Sequence, residues 1–150
     1  MRVTLDSNIL IYAVSRSDSR HTLATELIDR AARGDCRQTL QSLAECFNVL
    51  SRKYRMPAAE AHDWVQSFQS LFAVAAADES DLAVAVIAVE QHGLSFWDAM
   101  LWATARRAGC RVLLSEDFQD GRDLGGILFV NPFVPANRKL LDLALPELRS

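Results

Sequence analysis

The stretch Arg2-Val3-Thr4-Leu5-Asp6-Ser7-Asn8-Ile9-Leu10-Ile11 decides how this 150-residue chain is read. Val3 and Leu5 flank Thr4 in the alternation of a short strand, predicted over Arg2–Leu5. A helical turn or short helix is expected from Asn8. Asp6 stands between the two and interrupts a segment that is apolar again through Ile11. A carboxylate beside a core strand is costly unless something satisfies it. Two partners suit it: the N-terminus of the following helix, or a cation. The rest of the chain has to decide between them.

Outward from this stretch the pattern repeats. Leu23, Leu27, Ile28 and Ala31 recur at helical spacing between Asp18-Ser19 and the stop at Gly34. Cys36–Leu40 reads as a second strand. Ser42-Leu43-Ala44-Glu45 has capping-box spacing, and Phe47, Leu50 and Tyr54 continue a helical face. Pro57 suits the first turn of a further helix bearing Trp64, Val65, Phe68, Leu71 and Phe72. Ala73–Ala76 is a brief third strand. Glu79–His92, with its acidic lead-in and trailing Gly93, is expected to be a buried helix. Ser95–Ala108 is another helix, opened by the capping box Ser95-Phe96-Trp97-Asp98. Arg111–Ser115 and Ile127–Val130 give strands four and five, and Asn137–Leu145 a short amphipathic helix ended by Pro146. Strands alternating with helices imply an α/β fold, a parallel sheet of four to five strands with helices on both faces. The length suits one domain spanning residues 1–150.

Composition narrows the function. Half the residues are apolar and 23% are charged, as in an ordinary globular protein. The net charge of −3 counts against phosphate binding taken alone, but an acidic cluster at one site would lower the total in the same way. Cys36, Cys46 and Cys110 are odd in number and lack CxxC spacing, which argues against disulfides and zinc and for a reducing cytoplasm. The apolar run Ile9–Val14 is too short for a signal peptide, and no stretch approaches the roughly 18 residues needed to span a bilayer. His21, His62 and His92 belong to no acid–nucleophile pattern, and the chain has no Gly-rich phosphate loop.

Parallel sheets bind ligands outside the carboxyl ends of their strands. Asp6 ends strand one, and Asp117 follows strand four by two residues. Glu45 and Asp98 lie at helix starts that face the same edge. Each acid also has a purely structural reading. Asp6 can cap a helix, Glu45 and Asp98 can complete capping boxes with Ser42 and Ser95, and Asp117 can make an Asx turn. Jointly these readings are weaker, because four carboxylates on one rim repel one another unless a cation is present. Oxygen-only ligands point to Mg²⁺, or Mn²⁺, over zinc.

Leu-Asp-Ser-Asn-Ile-Leu at 5–10, Glu45 in a helix, Phe-Trp-Asp-Ala at 96–99 and Leu-Leu-Ser-Glu-Asp-Phe-Gln-Asp-Gly at 113–121 together resemble the PIN domain family. The nearest similarity is to VapC-like ribonuclease toxins of toxin–antitoxin pairs. The resemblance runs in order from strand one to about Val130. It implies an α/β sandwich, Mg²⁺-dependent cleavage of RNA, a cognate antitoxin and a homodimer. Carried over by position, Asp6, Glu45, Asp98 and Asp117 match the acidic quartet. Asp6, Asp98 and Asp117 would hold the metal, and Glu45 would be a further ligand or would orient water. Asn8 matches the residue that supports the first acid, and Ser115 the hydroxyl before the last. Ser7 stands where Thr is common, and Glu116 competes with Asp117 for the last place, which its position in the motif gives to Asp117.

Arg106, Arg107 and Trp97 are the candidate substrate contacts. For the arginines a solvated helix end is at least as good a reading. For Trp97, packing in the core or a dimer outweighs stacking on a base. Two further readings are a non-catalytic interaction module with the same sheet, and a housekeeping RNA-processing nuclease. A phosphotransferase using Asp6 as nucleophile, as in haloacid-dehalogenase-like phosphatases, is disfavoured because Asn8 occupies the place of the second Asp that such enzymes need.

Overall fold

A computed structural model describes residues 1–147. The strands are β1 (Val3–Leu5), β2 (Arg37–Thr39), β3 (Ala73–Ala75), β4 (Val112–Leu114), β5 (Asp123–Leu124) and β6 (Ile127–Val130). The helices are α1 (Ser7–Val14), α2 (His21–Arg33), α3 (Leu40–Arg52), α4 (Ala58–Leu71), α5 (Glu79–His92), α6 (Phe96–Arg107) and α7 (Arg138–Ala144), the last entered through a 3₁₀ turn at Pro135–Asn137.

β1 pairs with β4 and β4 with β6, all parallel, giving the order β1-β4-β6-β5. β2 and β3 form a second parallel pair, joined to the first sheet by a bridge between Val3 and Cys36. Gln38 reinforces that junction, its buried side-chain Nε2 donating to the Leu5 carbonyl at 2.7 Å. The sheet separates two apolar clusters. Along β4, Val112 and Leu114 enter the cluster shared with α1 to α4 and α7, while Leu113 enters the one under α5 and α6. That alternation is the two-residue period of a strand buried on both faces.

The structure departs from the sequence expectations in three places. The sheet is not wholly parallel, because β5 runs antiparallel to β6 across a two-residue turn, Gly125-Gly126. Both glycines have positive φ, 58° and 86°, as a tight hairpin of this type requires. A Cβ on Gly125 would also stand 2.9 Å from Trp102 Cζ2.

The second departure is at α3, whose cap lies three residues before the expected one. Thr39 is the cap, its hydroxyl accepting from the Ser42 backbone N–H at 3.1 Å. Ser42 is therefore inside the helix, and Glu45 has no capping duty.

The third is α5, which is not buried all round. Asp81, Ala85 and Ala88 face inward, whereas Leu82, Val86, Ile87 and Val89 are exposed. Small residues let α5 lie close against α6, and the branched side chains are left outside. No described helix is long and apolar enough to cross a membrane.

Candidate active site

Asp6 does two things at once. It caps α1, accepting the Ser7 backbone N–H at 2.7 Å, and it stays at the carboxyl end of β1, where its own N–H donates to the Leu114 carbonyl. Its other carboxylate oxygen accepts the Ser115 hydroxyl at 2.7 Å. The residue is only 6% exposed, and among the described residues no basic side chain pairs with it. Burial is the main reason its carboxyl is pushed up to about 6. The Ser115 and Ser7 hydrogen bonds oppose the rise, and the negative charges of Glu45 and Asp117 add to it.

The neighbouring acids are held in place by neutral groups. Asn8 Nδ2 donates to Asp117 Oδ2 at 3.1 Å and approaches Ser115 Oγ at 3.4 Å. Ser115 Oγ also accepts the Asp117 backbone N–H at 3.0 Å. Glu45 takes the Ser7 hydroxyl at 3.1 Å on one oxygen and Gln41 Nε2 at 2.9 Å on the other. Asp98 sits in the first turn of α6, where its backbone N–H is capped by Ser95 Oγ at 3.3 Å. Burial raises the Asp98 carboxyl, a Ser95 hydrogen bond opposes the rise, and Asp117 and Glu45 add to it. Asp6 and Asp98 thus each feel the charges of Glu45 and Asp117, and Asn8 and Ser115 link Asp6 to Asp117.

Glu116 points elsewhere. Arg20 Nη1 donates to both its oxygens at 3.0–3.1 Å, and the Tyr12 hydroxyl donates to one of them. The Arg20 guanidinium lies 3.8 Å over the Tyr12 ring and is itself held by Asp18. Sequence reasoning preferred Asp117 to Glu116 by its place in the motif and did not find Arg20 or Tyr12. No local motif links residues this far apart.

Arg106 and Arg107 are not brought to the rim. They lie in the last turn of α6, about 12 Å along the axis from Asp98. Arg107 pairs with Asp81 and Asp78, and Arg106 lies over Trp102. Trp97 does reach the rim region, and it is 62% exposed, so packing in this chain's core is excluded.

The donor set suits a hard cation. Every candidate ligand is a carboxylate oxygen, and the buried Asn8 Oδ1 beside them has no hydrogen-bond partner among the described residues. Among the described residues, no three acids stand close enough to enclose an ion unaided. Mg²⁺ does not need such a cage, since it binds through one or two carboxylates and keeps several waters.

Three comparisons bear on this site. No curated protein matches the chain. Among solved structures, VapC20 of Mycobacterium tuberculosis, a Sarcin-Ricin loop cleaving toxin, is 20% identical with a TM-score of 0.62, covering 77% of this chain and 91% of that one. PAE2754 of Pyrobaculum aerophilum is 19% identical with a TM-score of 0.63, covering 96% and 89%. A DNA-bound VapBC complex of Salmonella typhimurium gives 15%, 0.64, 86% and 96%. At these identities the likeness is one of fold. The family model for the PIN domain matches residues 3–119, a span that holds all four acids, so the chain belongs to the PIN domain family.

Proposed function

We propose that this protein is a Mg²⁺-dependent endoribonuclease, with Mn²⁺ an acceptable substitute, and the toxin of a toxin–antitoxin pair neutralised by a cognate antitoxin. In this reading residues 1–150 form one nuclease domain that acts in the cytoplasm. The observation that carries the proposal is Asp6, a buried acid faced by two further acids and, among the described residues, by no base of its own. The family membership and the toxins among its structural relatives support the same reading.

Asp6, Asp98 and Asp117 would hold the ion, one or two of them directly and the rest through its waters; when bound it acidifies water and offsets charge building on the phosphate. Ser7 and Ser115 fix Asp6, and Asn8 fixes Asp117. Glu45, braced by Ser7 and Gln41, orients the attacking water and takes its proton. The water oxygen bonds to phosphorus as the bond to the 3′-oxygen breaks in line. That oxygen takes a proton from solvent, leaving a 3′-hydroxyl and a 5′-phosphate. The RNA 2′-hydroxyl takes no part.

Expression of wild type and Asp6→Asn in a bacterium, followed by mapping of RNA ends, tests this. Growth arrest with discrete cuts from wild type alone supports it. Ends bearing 2′,3′-cyclic phosphate, full activity in EDTA, or no difference between the two proteins overturn it. The reading includes a homodimer, supported by the exposed stripe Leu82, Val86 and Val89 on α5. Sedimentation velocity of wild type and Val86→Asp checks that part, with only the variant expected to be monomeric.

A further inference from the structure

Trp97 is the most exposed of the chain's large aromatic side chains at the rim, yet its place is fixed. Its indole meets the Phe96 ring edge to face, with centroids 4.9 Å apart. Its backbone carbonyl accepts Gln41 Nε2 at 2.9 Å, and the same nitrogen donates to Glu45 Oε1 at 2.9 Å. Gln41 therefore ties the backbone that carries this indole to one of the four acids. Between the indole and α3 lies a hollow of about 370 Å³, lined by Gln41, Ala44, Glu45, Asn48 and Trp97. Ala44 brings only a methyl group to its lining, and Glu45 belongs both to the hollow and to the acidic rim.

This architecture selects its occupant. An indole face takes a flat aromatic group. The Glu45 carboxylate repels an anion and accepts from N–H donors, so a phosphate is disfavoured there and a neutral base with amino edges is favoured. Asn48 adds an amide that can both donate and accept. Resting on the nuclease reading above, we propose that an unpaired nucleobase flanking the scissile phosphate enters this hollow and stacks on Trp97. Asn48 and Glu45 then meet the edge of the base. Unpaired RNA bases are commonly read in this way, by stacking on an aromatic side chain and hydrogen bonding along their edges.

The test uses full-length protein carrying Asp6→Asn, so that RNA is bound without being cut, with and without Trp97→Ala or Trp97→Phe. Fluorescence anisotropy in Mg²⁺ measures affinity for short oligoadenylate and for an abasic oligomer of the same length. Trp97→Ala should weaken oligoadenylate binding roughly tenfold, Trp97→Phe only two- to threefold, and the abasic oligomer should bind all three proteins alike. If Asp6→Asn blocks cleavage but Trp97→Ala binds oligoadenylate as tightly as its parent, the nuclease reading stands and the stacking site is overturned. If Asp6→Asn itself still cuts RNA, the nuclease reading fails and takes this proposal with it. Equal loss on both oligomers, together with dissociation of a dimer in sedimentation velocity, overturns the proposal and assigns Trp97 to an interface between copies.

Discussion

Two aspartates in this chain are almost fully buried at the first turn of a helix or its cap. They teach opposite lessons. Asp81, on α5, is 2% exposed; Asp6, at the start of α1, is 6% exposed. Asp81 has what a buried carboxylate needs. Arg107 donates to both its oxygens at 3.0 Å, the Asp78 backbone N–H closes a capping box on it, and the Thr104 hydroxyl approaches it. Asp6 has a hydroxyl and one backbone N–H, and its charged neighbours are Glu45 and Asp117. Both are buried at a helix N-terminus, Asp6 as the cap of α1 and Asp81 in the first turn of α5. What differs is whether the protein supplies the positive charge, and a fold that withholds it leaves room for a cation from outside.

The same substitution at both positions breaks or sharpens this contrast. Asp6→Asn should lower RNA cleavage by about a thousandfold while the protein stays folded, as judged by circular dichroism. Asp81→Asn should keep cleavage per folded molecule within about twofold of wild type. If both variants lost activity equally, the acids would not differ in role.

Stability should move in the reverse sense. A carboxyl raised from 3.8 to about 6 in the folded state holds its proton longer than the unfolded chain does. Its contribution to stability is therefore present below about pH 4 and is lost as pH rises through 6. Once Asp6 is ionised, the loss is about 3 kcal/mol. In EDTA, the Tm of wild type should fall by several °C relative to Asp6→Asn between pH 4 and pH 7. Adding Mg²⁺ at pH 7 should restore wild type and leave Asp6→Asn unmoved. Parallel Tm profiles for the two proteins would remove the distinction between the two aspartates. Asp81→Asn should instead lose roughly 5–10 °C at pH 7, because it unpairs a buried group that Arg107 and the capping box satisfy.

These contrasts also show what could be read in the sequence. β1, β4 and β6 are short apolar runs flanked by polar turns, and the rule for parallel sheets places Asp6 and Asp117 at one edge. Asp98 follows from a real cap at Ser95. Glu45 reaches the rim although its supposed capping box is false, because Ser-x-x-Glu also occurs by chance inside a helix whose true cap, Thr39, has Ser42 at the third helical position. The α5 run is apolar on every side, so its pattern cannot say which side packs. Ala85 and Ala88 decide that by permitting close approach. The β5–β6 hairpin had a signal in Gly125-Gly126, but a two-residue strand starting with an exposed aspartate has too little pattern of its own. The partner of Glu116 was out of reach, since Arg20 lies 96 positions away.

That last pair gives the smallest effect and the finest form of the comparison. Glu116 and Asp117 are consecutive carboxylates, one with a built-in cation and one without. Glu116 is committed to Arg20 and Tyr12, a clamp that bridges the loop after α1 to the end of β4. Asp117 is exposed and, among the described residues, is held only through a neutral amide and its own backbone. The logic that separates Asp6 from Asp81 therefore predicts that Asp117→Asn lowers cleavage by at least about a hundredfold. Glu116→Gln keeps the acceptor for Tyr12 and a weaker one for Arg20, so it should lower cleavage only two- to fivefold and cost about 1 kcal/mol of stability. A kinetic assay in saturating Mg²⁺, beside a urea titration, reads both quantities. Were Glu116→Gln as damaging to cleavage as Asp117→Asn with its stability intact, the Arg20 clamp would be part of the ion-holding rim. Supply of a protein cation would then no longer mark an acid as structural.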